Sequence, residues 1–380
     1  MTTSPPVQRR PAPGRRRFGV AGLPDFPWDS LADAKRRAAS HPDGIVDLSV
    51  GTPVDPTPAV VQDALRAGAD APGYPTTSGT TQLREHIAAH LARTAHAVPL
   101  QPDQILPTIG SKELVAWLPR LLGLGPDDTV VIPELAYPTY EVGAQLAGAA
   151  LVRADGTASL GPRRVALMWI NTPANPHGKV LPREHLRKVV AWARERGTLL
   201  VSDECYLPFA WDAPALSVLD PAVNDGSVDG LLAVHSLSKR SNMAGYRAGF
   251  LAGDQAVVQA LLAVRKHAGM MVPAPVQGAI RAAVDDDRHV TEQAERYRAR
   301  RQILAGALTA AGYRIDHSDG SLYLWCTRGE PCRDTVHRLA GDGILVAPGD
   351  FYGPRGAEHV RVALTAADER VRAAADRLSG

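Results

Sequence analysis

Short apolar segments alternate with amphipathic helical segments across the middle of the chain, and this alternation constrains the fold more than any other feature. The apolar segments lack polar alternation, so each predicts a strand that is buried on both faces. Strands that repeatedly alternate with helices form largely parallel sheets with helices on both faces, so the sequence predicts an α/β protein. The predicted strands are residues 105–108, 129–132, 165–170, 199–202, 231–234 and 249–252.

Three polar residues, Asn171, Asp203 and Lys239, each come just after a predicted strand. Functional groups gather where parallel strands end at their carboxyl edge, so we expect these side chains to share a site. A lysine held against a sheet edge is partly desolvated, and its amine can then be neutral and form a Schiff base. The alternative for Lys239 is a solvated loop lysine. Asp203 would be poorly solvated without a cationic partner, and its alternative is a helix N-cap.

The chain divides into four predicted regions. Residues 1–22 are rich in proline and arginine, which predicts a disordered leader. Residues 23–55 are expected to form an N-terminal strap and part of a small domain. Residues 56–270 are expected to form the large domain, and residues 271–380 the rest of the small α+β domain.

Local signals in the small domain give four further predictions. Prolines in residues 23–28 predict an extended strap that lies across another surface. Ser30 is predicted to cap a helix that runs to about residue 40. Residues 45–50 and 344–347 are each predicted to form one strand.

Composition excludes several classes of function. The formal net charge is only +2, so no global basic field argues for nucleic acid or an anionic membrane. No apolar run approaches the roughly 18 residues that a membrane helix needs. Cys205, Cys326 and Cys332 are scattered without metal-ligand spacing, which favours a reducing, cytoplasmic setting and no metal site.

Six separated segments resemble those of the pyridoxal-phosphate aminotransferases that share the aspartate aminotransferase fold, fold type I. They occur in the order and spacing of that family over about residues 24–375. The resemblance implies a large domain with a mostly parallel sheet, a smaller α+β domain, pyridoxal 5'-phosphate as cofactor, amino acid and keto acid substrates, and a homodimer with shared sites. The segments are residues 110–113, 136–140, 171–178, 202–206, 235–250 and 359–362.

The resemblance assigns the catalytic roles to Lys239, Asp203 and Tyr206. Lys239 would bind the cofactor covalently and then move the Cα proton of the substrate. Asp203 would pair with the ring nitrogen of the cofactor, and Tyr206 would bond its phenolic oxygen. Without the resemblance, a buried core tyrosine is the better interpretation of Tyr206.

The resemblance also implies a set of binding residues. Arg361 lies on a strand whose valine neighbours face the other way, and it would bind the substrate carboxylate with Gly51 and Asn175. Tyr74 would reach the phosphate in the site of the neighbouring subunit. Surface, core or helix-cap roles stay open for these residues on sequence alone, and a helix-start role is favoured for Lys112. The cofactor-binding set is Lys239, Gly110, Ser111, Lys112, Tyr137, Asn175, Asp203, Tyr206, Ser236, Ser238, Arg247 and Tyr74.

Residues 238–243, 110–113 and 23–28 are similar to actinobacterial N-succinyldiaminopimelate aminotransferases. This implies glutamate as amino donor and N-succinyl-2-amino-6-ketopimelate as acceptor. Residues 320–323 depart from the pattern of many relatives, so the shape of the side-chain pocket is not predicted. The alternatives are another amino-acid aminotransferase (aspartate, methionine or aromatic) and a C–S or β-lyase. A cofactor-sensing transcription regulator is disfavoured because no helix-turn-helix pattern precedes the core.

Overall fold

A seven-stranded sheet forms the centre of the molecule, as seen in a computed structural model that describes residues 23–379. All of its strands run parallel except Ala248–Gly253, which is antiparallel to both neighbours. This confirms the predicted α/β class with a mostly parallel sheet. In spatial order the strands are Ile105–Ile109, Ala248–Gly253, Leu231–Ser236, Leu199–Asp203, Leu167–Asn171, Thr129–Ile132 and Ala150–Arg153.

Alternate residues of the central strands enter two separate apolar clusters. Leu167 and Trp169 belong to the cluster on one face, and Met168 and Ile170 belong to the cluster on the other. Both faces are therefore buried, which is why these strands read as continuous apolar runs. Full burial of each such side chain contributes about 2 kcal/mol to the free energy of unfolding.

Helices cover both faces of the sheet and follow its strands in the chain. Glycines in the left-handed conformation, Gly148, Gly197 and Gly269, end three of them. The helices of this region are Ala59–Ala67, Thr81–Thr94, Ser111–Leu121, Thr139–Ala147, Arg183–Arg196, Pro221–Asn224, Leu237–Arg240, Gln255–Ala268 and Ala274–Asp285, with short 3₁₀ turns at Pro102–Gln104, Ala158–Leu160 and Ala244–Tyr246.

The C-terminal region is built on a four-stranded antiparallel sheet with its own apolar cluster. The long helix Arg288–Ala310 packs on the closing helix Asp368–Ser379. In spatial order the strands are Ala347–Pro348, His359–Ala363, Tyr323–Thr327 and Arg314–Ile315. The helix Cys332–Gly341 and the 3₁₀ turns Gly349–Tyr352 and Pro354–Gly356 complete the region.

The N-terminal segment joins this C-terminal region. Its strand Val46–Asp47 pairs in parallel with Ile344–Leu345, and its helix Ala32–Ala39 packs against Cys332–Gly341. The predicted domains at 23–55, 56–270 and 271–380 stay a prediction. The predicted leader, residues 1–22, lies outside the described residues.

Two predictions for the N-terminal segment were wrong in detail. Ser30 does not cap the helix, because it lies inside the 3₁₀ turn Pro27–Leu31 and its hydroxyl donates to the Pro27 carbonyl. The strand predicted at 45–50 is limited to Val46–Asp47. The Asp47 carboxylate accepts hydrogen bonds from both the N–H and the hydroxyl of Ser49, and this turn ends the strand.

The strand predicted at 344–347 is two separate strands. Ile344–Leu345 pairs with Val46–Asp47, whereas Ala347–Pro348 pairs with His359–Ala363, so the chain crosses from one sheet to another. The edge strand Ala150–Arg153 was not predicted. Within residues 23–379 the structure contains no helix of the length and apolarity that crossing a membrane requires.

Candidate active site

A cavity of about 770 Å³ opens where the parallel strands end at their carboxyl edge. It lies between the large sheet and the C-terminal sheet, so residues far apart in sequence meet there. Asn171 and Asp203 from strand ends, Lys239 from the short helix after a strand, and Arg361 from the C-terminal sheet all line it. The predicted convergence of the three strand-end residues is therefore present.

Lys239 is held in a short helix that begins directly after a buried strand. The Ser236 hydroxyl accepts a hydrogen bond from the Ser238 N–H at 3.2 Å and caps the helix Leu237–Arg240. The amine lines the cavity. Burial, followed by the positive charge of Arg361, lowers the pKa of Lys239 to about 8. A solvated loop lysine is excluded, and the amine loses its proton more readily than an ordinary lysine does.

Asp203 is buried at the end of the neighbouring strand. Its Oδ2 accepts a hydrogen bond from the Tyr140 hydroxyl at 2.7 Å, and its Oδ1 accepts one from the Cys205 N–H at 3.2 Å. Burial raises the pKa of Asp203. Across residues 23–379 no lysine, arginine or histidine nitrogen lies within 4 Å of this carboxylate. No helix follows Asp203, so the helix N-cap alternative was wrong, and the carboxylate suits a cation brought by a ligand.

Gly110, Ser111 and Arg247 form a recess at one end of the cavity. Gly110 has φ +74°, a conformation that favours glycine, and its missing side chain lets Arg247 Nη2 lie close to the backbone. Ser111 begins an eleven-residue helix, whose free N–H groups favour an anion. Arg247 adopts φ +54°, a left-handed conformation that costs about 1–2 kcal/mol, and its Nη1 donates to the Ala244 carbonyl at 2.8 Å.

Lys112 lies in the first turn of the helix and also lines the cavity, so the two roles considered for it are compatible. Its Nζ lies 5.4 Å from the ring centroid of Phe26. Partial desolvation and then the positive charge of Arg247 lower the pKa of Lys112. Ser236 and Ser238 also line the cavity.

Arg361 occupies the other end of the cavity and is 3% exposed. Its Nη1 donates to Asn175 Oδ1 at 2.9 Å, and its Nη2 donates to the Ser49 carbonyl at 2.7 Å. The guanidinium lies 4.0 Å from the ring centroid of Tyr323. These contacts fix a charged fork against the cavity, the geometry that suits a carboxylate.

Asn175 and Gly51 are also held at this end. The Asn175 N–H donates to Asn171 Oδ1 at 2.7 Å, and Asn171 Nδ2 donates to the Asp203 carbonyl at 2.8 Å, so Asn171 orders the loop as expected. A Cβ on Gly51 would collide with the Tyr323 hydroxyl. Gly51 and Asn175 both line the cavity.

Two predicted aromatic residues line the middle of the cavity. Burial raises the pKa of Tyr137 to about 12, so its hydroxyl stays protonated. The Tyr206 hydroxyl lies 2.9 Å from the Tyr323 hydroxyl, and burial raises the pKa of Tyr206 well above its usual value. Tyr206 is therefore both buried, as its alternative interpretation held, and part of the cavity wall.

Tyr140, Tyr323 and Lys35 line the cavity, but the sequence analysis gave them no role in the site. Tyr140 bonds Asp203 and stacks on Trp169 at 4.8 Å, and its place in segment 136–140 was the available signal. Tyr323 contacts both Tyr206 and Arg361. The unusual segment 320–323 was the available signal for Tyr323, whereas no local sequence pattern marks Lys35.

Tyr74 does not line the cavity of its own chain. Its side chain is 98% exposed. The predicted contact with the site of a neighbouring subunit involves a second chain, so this residue stays a prediction.

Comparison with known proteins places the chain in a family. Residues 43–378 match the model of "Aminotransferase class I and II". The sequence is 64% identical to "Probable aminotransferase Rv1178" of Mycobacterium tuberculosis, over 96% of this chain and 87% of that protein. It is 57% identical to 4-dedimethylamino-4-oxo-anhydrotetracycline transaminase OxyQ of Streptomyces rimosus, over 94% of this chain and 99% of that protein.

A solved structure agrees with these matches. The probable N-succinyldiaminopimelate aminotransferase of Thermus thermophilus superposes with a TM-score of 0.84 at 28% identity, over 93% of this chain and 99% of that chain. Fold and matches together define a pyridoxal-phosphate-dependent enzyme with an aspartate aminotransferase-like fold. The chain belongs to the class I and II aminotransferase family, and amino acids and keto acids are its expected substrates.

Proposed function

We propose that this aminotransferase moves an amino group from glutamate to N-succinyl-2-amino-6-ketopimelate. The observation that carries the proposal is the distribution of cations around the cavity. Arg361 is buried in the cavity wall, while Lys35 and Lys112 also line the cavity and have no carboxylate within 4 Å in the described part of the chain. The acceptor has a carboxylate beside its ketone and two more at its far end. One arginine and two lysines match that pattern.

The described side chains fit pyridoxal phosphate. Gly110, Ser111 and Arg247 would hold the phosphate, with Ser236 and Ser238 beside it, because this recess offers N–H groups, hydroxyls and a cation. Asp203 is a buried carboxylate without a cationic side-chain partner among residues 23–379, which suits a protonated ring nitrogen. When bound, the cofactor supplies an aldehyde that reacts with amines and a ring that withdraws electrons.

The catalytic roles follow from these positions. Lys239 would hold the cofactor through its amine and, once displaced by substrate, take the Cα proton and return it, since a pKa of about 8 suits proton transfer near neutral pH. Tyr206, together with Asn175, would donate hydrogen bonds to the cofactor ring oxygen, and Tyr137 would pack on the ring. Arg361, Asn175 and Gly51 would orient the substrate carboxylate.

A second acceptor class is favoured by one comparison. The transaminase from Streptomyces rimosus, 57% identical, is named for a tetracyclic ketone. Phe26 and Trp28 line the cavity of this chain, and flat aromatic side chains suit a fused-ring substrate. A C–S or β-lyase remains an alternative on the same scaffold.

Kinetics with competing acceptors test the proposal. The holoenzyme is assayed with glutamate against N-succinyl-2-amino-6-ketopimelate, pyruvate, oxaloacetate, phenylpyruvate and a tetracyclic ketone. The proposal expects kcat/KM for the succinylated acceptor to exceed that for the others by at least about tenfold, and Lys35→Met to lower it selectively by about fivefold. A preference for any other acceptor, or ammonia release without an acceptor, would refute it.

Arg361→Ala is expected to lower kcat/KM for glutamate about a hundredfold while leaving the cofactor content intact. Loss of two charge-assisted hydrogen bonds to a carboxylate costs about 3 kcal/mol. Steady-state kinetics and the absorbance of the bound cofactor measure both quantities. The matched control is Arg355→Ala, since Arg355 is an exposed surface arginine. Unchanged kinetics would show that another group holds the carboxylate.

We further propose a homodimer in which Tyr74 reaches the cofactor phosphate of the partner's site. Its nearly complete exposure in one chain supports this placement. Tyr74→Phe is expected to raise the cofactor dissociation constant about fivefold in a protein that sediments as a dimer. Tyr313→Phe is the control, because Tyr313 accepts a hydrogen bond from Arg338 away from the cavity. A fully active monomer would contradict the shared site.

The proposed cytoplasmic location is supported by three free, buried cysteines.

A further inference from the structure

A second cavity of about 360 Å³ lies behind the active site and contains titratable groups that the reaction does not use. Cys205 and Ser236 line both cavities, so only a thin wall separates them. Glu204 and His235 lie in this wall, one residue beyond Asp203 and one residue before Ser236. The Glu204 N–H donates to the Val234 carbonyl at 2.9 Å, which holds the two strand ends side by side.

The two side chains face each other. Glu204 Oε2 lies 3.4 Å from His235 Nε2, and the exposed fractions of the side chains are 0% and 11%. Neither atom has a hydrogen-bond partner in residues 23–379, and their mutual distance of 3.4 Å is longer than an ordinary hydrogen bond. The other carboxyl oxygen, Oε1, accepts from the Val218 N–H at 2.9 Å, and the His235 ring stacks on Phe250.

The neighbourhood disfavours an ion pair between them. Burial raises the pKa of Glu204 to about 7, and burial followed by the charge of Arg240 lowers the pKa of His235 to about 3. A neutral carboxyl that donates to a neutral imidazole avoids placing two charges in this buried wall. The other charged or titratable groups that face the pair are Asp203, Cys205, His90, Arg93, Arg240 and Asp287.

The histidine, the two arginines and the cysteine among these groups keep one protonation state near neutral pH. Burial lowers the pKa of His90 to about 2, so it stays neutral, and its Nε2 lies 3.2 Å from Arg240 Nη1. Arg93 and Arg240 both lie within 4.0 Å of Asp287 and keep their charges. Burial raises the pKa of Cys205 well above its usual value. The charge of these four neighbours of the pair is therefore constant near neutral pH.

We propose that Glu204 and His235 share one buried proton and act as a positioning pair, which fixes the strand end that carries Asp203 and the strand end that leads into the helix of Lys239. The proton resides on the carboxyl of Glu204 and is donated to the Nε2 lone pair of His235. Its effect on turnover rests on the function proposed above for Asp203 and Lys239, whereas the shared proton itself does not.

The shared proton has a distinctive effect on stability. Between about pH 4.5 and 6.5 the unfolded chain carries a protonated histidine and an ionised glutamate, and the folded pair also carries one proton. The folded and unfolded states then bind the same number of protons, so the pair adds no pH dependence to the free energy of unfolding in this range. Glu204 alone would lose stability as pH rises, because its folded pKa is raised. His235 alone would gain stability as pH rises, because its folded pKa is lowered.

Thermal unfolding of the holoenzyme between pH 5.0 and 6.5 tests this. Relative to wild type, Tm of Glu204→Gln should rise with pH by about 2 °C per unit, and Tm of His235→Gln should fall by a similar amount. The Tm of the double variant should change with pH by the same amount as the Tm of the wild type. If one variant does not fold, the slope of the other carries the test. If the Tm values of both single variants changed with pH as that of the wild type does, the proposal of a shared proton would be overturned.

A second measurement tests the positioning role. Glu204→Ala removes the contact, whereas Glu204→Gln keeps a donor for Nε2. We expect kcat to fall at least about tenfold in Glu204→Ala and to be largely rescued in Glu204→Gln. Equal kcat in both variants would overturn positioning. The unfolding profiles involve no turnover, so failure of the substrate proposal leaves their outcome unchanged.

Discussion

Replacing Lys239 with alanine is expected to lower kcat by about 10⁴-fold or more. The amine lines the cavity with a pKa lowered to about 8, and it is proposed both to hold the cofactor and to move the substrate proton. Both functions are lost with the side chain. Coupled glutamate assays measure the rate, and mass spectrometry after borohydride reduction measures the covalent attachment of the cofactor, which should be absent.

A matched control is available in the same cavity. Lys112→Ala removes another amine whose pKa is lowered, yet it should keep the covalent attachment at Lys239. Cofactor attached at Lys112, or full turnover by Lys239→Ala, would contradict the assignment. The pair of variants separates loss of a positive charge from loss of the reactive amine.

Asp203→Asn is expected to lower kcat by roughly a hundredfold or more. An amide keeps one acceptor oxygen for the Cys205 N–H, and its NH2 group can donate to the Tyr140 oxygen, but it cannot neutralise a cation. Loss of one partner from a buried charge pair costs about 3 kcal/mol or more. Steady-state kinetics at saturating substrate measure this, with cofactor content determined on the same samples.

Tyr140→Phe is the control for Asp203→Asn. It removes a 2.7 Å hydrogen bond to the carboxylate and leaves the negative charge in place. We expect a loss of about tenfold, since hydrogen bonds to charged groups contribute about 1.5–3 kcal/mol. If Tyr140→Phe were as damaging as Asp203→Asn, the role of Asp203 would be geometric and not electrostatic.

Local patterns predicted the strand ends well, because a buried strand that stops at a polar residue is visible in sequence. Asn171 and Asp203 are in fact the last residues of their strands. The reversed direction of Ala248–Gly253 was not predictable, since an apolar run has no direction in its composition. The prediction of one strand at 344–347 was wrong for a related reason, because tertiary packing determines which strands pair there.

The site was predictable in its residue types and not in its contacts. Lys239 and Arg361 could be singled out, but the contact between Arg361 and Asn175 depends on how the C-terminal sheet sits on the large one. The Tyr140 hydroxyl donates to Asp203, and the only sequence signal for Tyr140 was its position in the segment 136–140. Such contacts join segments far apart in the chain, where periodicity carries no information.

The bond from Arg361 to the Ser49 carbonyl joins residues 312 positions apart. During synthesis on the ribosome, the early segment must wait until nearly the whole polypeptide has emerged before it finds that partner. Long-range closure of this kind is slow, and it leaves the incomplete chain exposed to aggregation. Nascent protein should therefore gain the large sheet first and become competent to bind a carboxylate only as the last step of its maturation.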